Sequence, residues 1–316
     1  MQAVERAVER VIEAIHENYG EEISIDDMAR TAMYSKFHFT RIFQRVTGLT
    51  PGRFLSAVRL QKAKELLTST SLSVTDISHM VGYTSIGTFS SRFGYSVCVP
   101  PSSYRQLGGF RPWSAFQNRG NNGDNRGDRR LATEAGATVR GNISVPDAPD
   151  GSLIFVGLFP SRIPQGEPIR CTILRRPGPY VLEDVPQGSW YVMACSSHGS
   201  GQVAVANGAG AANGYRGNGS FGGNGAANGH RGNGSSAAAN GHGNGHRLLA
   251  GDQGMLVGAN GPITVFPGMV QMADIRLRAM GTLDPPVLLA LPDLRPETLE
   301  GRPEPEMLEA DVHNAA

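Results

Sequence analysis

Between Met28 and Lys64 the chain carries eight basic residues and no Asp or Glu: Arg30, Lys36, Arg41, Arg45, Arg53, Arg59, Lys62 and Lys64. Over all 316 residues the formal net charge is only +1, so this asymmetry is local. A block of fixed positive charge without intervening carboxylates attracts a polyanion. Arginine adds geometry to charge, because a planar guanidinium can donate to O6 and N7 of one guanine in a DNA major groove. Arg41 sits at the centre of such a set. Lys36, Phe37, Thr40 and Gln44 share its side of a helical pattern, and Arg45 lies one residue further on, where a phosphate contact suits it.

No competing chemistry stands out. There is no nucleophile–base pair, carboxylate dyad or metal-ligand cluster, so no catalytic, metal or cofactor residue is assigned. Ser196-Ser197-His198 borders a low-complexity tract and reads as accidental. Gly217, Gly219 and Gly222 match G-x-G-x-x-G without the flanking strand and helix that give this spacing its meaning. His230, His242 and His246 read as parts of a solvated loop. The three cysteines, Cys98, Cys171 and Cys195, are odd in number and contain no C-x-x-C pair, which argues against a disulfide framework and a zinc site. No apolar leader or membrane-length run is visible, so a reducing cytoplasm is expected.

The elements that must hold Arg41 and its neighbours occur twice. Ser35, Phe39, Phe43, Pro51 and Phe54 recur fifty positions later as Ser85, Phe89, Phe93, Pro101 and Tyr104. Upstream, Ser24 to Met28 is echoed by Ser73 to Ile77, forty-nine positions on. Ser24 with Asp27, and Ser73 with Asp76, form capping boxes that start short helices. Val4, Val8, Val11, Ile12 and Ile15 precede them as one amphipathic helix. A tight turn leads to a helix capped by Ser35, with Phe39, Ile42 and Phe43 inward. Two short helices with a polar, basic outer face on the second make a helix-turn-helix. Thr50-Pro51 opens a longer spacer helix to about Leu67. A second recognition helix runs from Ser85 to Phe93, and a last helix from Ser102 to Leu107.

Residues 8–107 resemble the AraC/XylS family of bacterial transcription regulators. The resemblance rests on Ser35 to Phe43, Gly48-Leu49-Thr50-Pro51, Arg59 to Leu67, Val81-Gly82-Tyr83, and Pro101 to Arg105. It implies two helix-turn-helix units joined by a long helix, docked on one side of double-stranded DNA. On a regular duplex their recognition helices must sit about 34 Å apart. It further implies action at promoters in the nucleoid, with contact to RNA polymerase. The second copy departs from the first: Arg41 is matched by Ser91, Lys36 by Ile86 and Gly48 by Cys98, and Gly94 falls where the resemblance implies Lys or Arg. Its outer face offers Ser85, Ile86, Thr88, Ser91 and Arg92. The first unit is therefore expected to dominate affinity. Cys98 reads as a small packed residue and His38 as a residue that packs or hydrogen-bonds within the fold.

Beyond Arg111 the composition changes. Residues 112–136 read as a flexible linker and 137–283 as an antiparallel β-sandwich of seven or eight strands, among them the unbroken apolar run Leu153 to Phe159 and the separate runs Met255 to Val257 and Ile263 to Phe266. A Gly/Asn-rich disordered insert spans 196–247, and a Pro/Glu-rich tail 284–316. Residues 178–192 resemble the strand–turn–strand of transthyretin-like and carboxypeptidase-regulatory-like sandwiches, which bind or support. The fold class is thus all-α, about seven helices, followed by β. The reading is a sequence-specific regulator whose β-domain senses a small-molecule effector, forms a homodimer or contacts a partner. An architectural DNA binder and a β-domain enzyme tethered to DNA are the alternatives.

Overall fold

The structure is a computed structural model that describes residues 2–111, 136–145, 153–197 and 255–291. The linker, nearly all of the Gly/Asn-rich insert and the tail beyond residue 291 lie outside the described residues.

Seven helices fill the first part: α1 (Gln2–Asn18), α2 (Ile25–Ala32), α3 (Lys36–Thr47), α4 (Pro51–Ser69), α5 (Val74–Met80), α6 (Ile86–Val97) and α7 (Pro101–Gln106). The Ser24 hydroxyl accepts from the Asp27 N–H, and the Asp27 carboxylate accepts from the Ser24 N–H, so the first capping box is complete. At α5 the Ser73 hydroxyl accepts from the Asp76 N–H and donates to its carboxylate. Helix α4 has no single apolar stripe. Phe54, Leu55, Ala57, Val58, Leu60, Ala63 and Leu67 are all buried, because both repeats pack around it.

The repeat extends to the turns. Met33 and Gly82 follow α2 and α5 with φ of 60° and 81°. In each turn the next residue donates its N–H five positions back, Tyr34 to Ala29 O and Tyr83 to Ser78 O. Such caps satisfy the carbonyls that a helix end leaves without partners. Gly82 suits this conformation, and an added Cβ would lie 2.8 Å from the Arg59 guanidinium and 2.9 Å from the Gly20 carbonyl oxygen. Met33 adopts the same conformation with a side chain, 84% exposed, that gains nothing from it.

Nine strands are present among the described residues: β1 (Ala137–Ser144), β2 (Ile154–Phe159), β3 (Cys171–Leu174), β4 (Gly178–Val185), β5 (Gly188–Ser197), β6 (Met255–Val265), β7 (Val270–Met272), β8 (Ile275–Arg276) and β9 (Arg278–Ala279). One sheet runs β4-β1-β7, with β8 also on β1; the other runs β3-β2-β5-β6-β9. Ala137, Val139, Ile143 and Leu182 of the first share a core with Ile154, Val156, Leu158 and Val192 of the second. Two details differ from the sequence expectation. The pairings of β1 with β7 and β8 are parallel, because the chain crosses from one sheet to the other after β6. And β6 is one long strand, not two, since β5 pairs along it from Val265 to Met255 and absorbs the irregularity opposite Tyr191.

Strand β2 is buried at every position, which explains its unbroken apolar run. Ile154, Val156 and Leu158 face the sandwich core, while Phe155 and Phe159 face outward under Val287 and Leu289. Those last two residues belong to a stretch that the sequence boundary at 284 assigned to the tail. It packs instead: Leu288 and Ala290 enter the helical core, Val287 and Leu289 the outer face of the sheet.

Met33→Gly is expected to raise unfolding stability by about 1 kcal/mol, because it removes a side chain from the left-handed region. Gly82→Ala should lower stability by more than that. Chemical denaturation checks both, with a shifted midpoint at constant slope.

Candidate nucleic-acid interface

Each recognition helix is held by rings. In α3, Phe39 and Phe43 lie one turn apart at 5.5 Å between centroids, and Phe43 meets Phe54 of α4 edge-on at 5.5 Å. In α6, Phe89 and Phe93 stand 5.6 Å apart, and Phe93 meets Tyr104 of α7 at 5.5 Å. All of these phenylalanines are fully buried. Fixing one face of a helix fixes the other. Lys36, Phe37, Arg41, Gln44 and Arg45 are exposed on α3, with Thr40 partly buried between them. Ser85, Ile86, Thr88, Ser91 and Arg92 are exposed at the start of α6 and along it. Phe37 is 84% exposed, a large apolar surface in water at the point of the first helix. The structure thus brings the sequence-derived set onto two outward faces.

The partners sort these residues further. Lys36 pairs with Asp26 at 2.8 Å, so it must leave a carboxylate to meet a phosphate. The Thr40 hydroxyl donates to the Lys36 carbonyl. Arg41, Arg45 and Arg53 are exposed and have no ion pair or hydrogen bond to protein among the described residues. Ser35 has the extended backbone of an N-cap, but its hydroxyl makes no capping bond, unlike the Ser85 hydroxyl, which accepts from the Thr88 N–H. The expected Ser35 cap is therefore not made. The first N–H groups of α3 remain open, an arrangement that favours an anion. His38 is exposed and tilts against the Tyr34 ring at 5.1 Å.

Part of the basic run is structural. Arg59 donates to the carbonyls of Tyr19 and Glu21, both at 2.7 Å, and lies over the Tyr83 ring. It ties the α1–α2 link to the second unit, and its partial burial lowers the pKa of its guanidinium. Lys62 pairs with Glu65 at 2.8 Å, which raises its pKa. Lys64 donates to the Val287 carbonyl. The sequence counted all of these with the attracting charge; the contacts of Arg59 and Lys64, 40 and 223 positions away, leave no local signature, whereas the Lys62–Glu65 pair spans a single helical turn.

Sequence reasoning missed one feature of the second unit. Where the start of α4 meets α6, a groove is lined by Gly52, Ser56, Arg59, Tyr83, Thr88 and Arg92. Arg92 donates to Ser56 Oγ at 3.3 Å across it. Hydroxyls, one exposed guanidinium and a helix start without a side-chain cap converge there. These are the groups that hold a phosphate.

Among the described residues no group of three or more His, Cys, Asp or Glu is placed to hold a metal, and no helix is long and apolar enough to cross a membrane. None of the three cysteines forms a disulfide, and burial pushes the Cys171 thiol up to about 11 and the Cys195 thiol up to about 12. Ser196 is buried with its hydroxyl unpartnered, and His198 lies outside the described residues.

The model of a helix-turn-helix domain family matches residues 28–107. The melibiose operon regulatory protein of Escherichia coli is 34% identical over 100 residues, 32% of this chain and 33% of that protein. The HTH-type transcriptional activator AarP of Providencia stuartii is 30% identical over 98 residues, 31% of this chain and 73% of that protein. The crystal structure of the DNA-binding domain of AdpA with a target DNA aligns with 25% identity and a TM-score of 0.31, over 32% of this chain and 90% of that one. The chain spans about a third of the length of several curated relatives that it matches.

Arg59→Ala is expected to lower unfolding stability by about 2 kcal/mol, since two carbonyls lose a charged donor. Arg53→Ala should leave stability within about 0.5 kcal/mol of the parent. Thermal and denaturant melts of the two variants separate the structural cation from the solvent-facing one.

Proposed function

Because the chain belongs to the AraC/XylS family of transcription regulators, we propose that it binds a specific DNA sequence at promoters and regulates transcription there. What carries this reading is a pair of outward polar faces, each held by the same buried ring set, inside the segment that the family model matches. Each recognition helix enters one major-groove segment. Arg41 reads a guanine, with Thr40, Gln44 and the Phe37 ring beside it. Arg45, Arg53 and the open start of α3 meet phosphate and set the register.

The second helix does a different job. With Ser91 and Ile86 in place of the first copy's Arg41 and Lys36, it brings less charge to its groove. Ile86, which is 43% exposed, suits a thymine methyl, and Arg92 with Ser56 takes the nearby phosphate. Affinity therefore resides mainly in the first unit. The protein acts in the cytoplasm at the nucleoid and contacts RNA polymerase from the promoter. The β-domain carries the regulatory input as a ligand, partner or dimer surface. A purely architectural role would show as binding without sequence preference. A tethered enzyme would show as an activity lost with residues 137–316.

Arg41→Ala is expected to cost about 1–3 kcal/mol of specific affinity and to relax preference at one base pair. Equal losses on every sequence would reduce Arg41 to a phosphate contact. Ser91→Arg should tighten binding and steepen the dependence of log K on log salt by about one. An unchanged slope would remove the second helix from the interface. Titrations of labelled duplexes at several salt concentrations measure both.

A further inference from the structure

We propose that the β-domain is a brace that fixes the two recognition helices relative to each other. A change within it then reaches DNA as a change in tolerated half-site spacing. That last step rests on the DNA-binding reading above; the brace itself does not.

The argument begins at the ends of α3 and α6. The last carbonyls of any helix lack intrahelical partners. At α6 the β-domain side supplies them. The Gly166 N–H donates to the Ser96 carbonyl at 2.7 Å, and the Ala290 N–H donates to the Val97 carbonyl at 3.2 Å. At α3 the cap residue Gly48 has φ of 79°, and a Cβ there would lie 2.7 Å from Cδ of Arg162. The stem of Arg162 therefore lies directly on that cap. Its neighbour Ile163, 2% exposed, enters the helical core.

A strap of residues 283–291 completes the contact. Its side chains alternate, with Leu288 and Ala290 into the helical core and Val287 and Leu289 against Phe155 and Phe159 of the sheet. Its backbone is fixed at several points. Leu288 and Leu289 donate to the Pro164 carbonyl, and Leu291 accepts from the Arg111 N–H. The Val287 carbonyl accepts from Lys64 on the spacer helix at 2.8 Å. The Arg111 guanidinium pairs with Glu167 at 3.0 Å. One body thus touches the C-terminal caps of both recognition helices and the helix between them. The residues assigned to base reading lie on the exposed faces and are left uncovered. A tethered domain would not supply a helix's missing donors. An interface of this kind holds one arrangement of two rigid elements, and its loosening releases both.

The test uses the full chain. Nitroxides at positions 44 and 91, introduced through non-canonical side chains, report the distance between the outer faces of α3 and α6. The parent should give one narrow distribution. Leu288→Asp places a carboxylate at a fully buried site and should detach the strap. Its distribution should broaden about twofold as minor arrangements become populated. An equally narrow distribution with helical circular dichroism retained overturns the brace. Should Leu288→Asp lose that signal, the decision passes to the pair Arg162→Ala and Glu167→Gln, which keeps every buried apolar contact; no broadening there overturns it as well. On duplexes whose two half-sites are set at different spacings, the strap variant should discriminate between spacings about fivefold less than the parent. A uniform loss at every spacing refutes the passage of change to DNA. A parent that shows no sequence preference at all refutes the DNA-binding reading instead, and the label distances still decide the brace.

Discussion

Two rings, one helical turn apart, fix each recognition helix about its own axis. Phe43 is wedged between Phe39 and Phe54, and Phe93 between Phe89 and Tyr104, with Phe89 also meeting Tyr83 edge-on. A buried aromatic side chain contributes a large apolar area and has few ways to rotate. With both rings seated, the helix cannot roll, and the residues that face water follow by geometry. Arg41 and Gln44 point outward because Phe39 and Phe43 cannot. The longer helix α4 then sets how far apart the two outward faces stand, and Arg59 locks its middle to the link before α2.

The two copies show what this frame demands and what it leaves free. Rings, turns and C-terminal caps are kept in geometry even where the residue changes. The left-handed position after the first helix is Met33 in one copy and Gly82 in the other, and the cap after the recognition helix is Gly48 in one and Cys98 in the other. A side chain forced into that region costs roughly 1–2 kcal/mol, which the surrounding contacts evidently offset. The outward faces, by contrast, have diverged in charge. A duplicated frame with unlike surfaces suits a reader whose two probes meet different base pairs.

Local physics was legible in the residues. The capping serines, the ring spacing, the proline at the start of α4 and the unbroken run of β2 each express a constraint within one turn or one strand. What escaped reading depends on contacts distant in sequence. Arg59 looked like attracting charge, although it bonds carbonyls some forty positions earlier. Residues 284–291, with Pro285 and Pro286 near their start, looked like tail, although Leu288 fills a core built mostly from α1 to α7. Met255 to Val265 looked like two strands, because Gly258 and the Gly261-Pro262 step interrupt an apolar pattern that pairing with β5 carries across. Ser35 looked like a cap by type and position, but its hydroxyl makes no capping bond. Within the candidate site, the outward residues could be named from periodicity, whereas the groove between α4 and α6 could not.

The central claim is that two unlike probes on one rigid frame read a duplex from one side. Selection of bound sequences by the full chain from a random DNA library tests it most directly. Two short enriched motifs, centred about ten base pairs apart and with the stronger preference in one of them, are the predicted result. A folded protein that enriches no sequence, or a single motif with no partner at that distance, would contradict it.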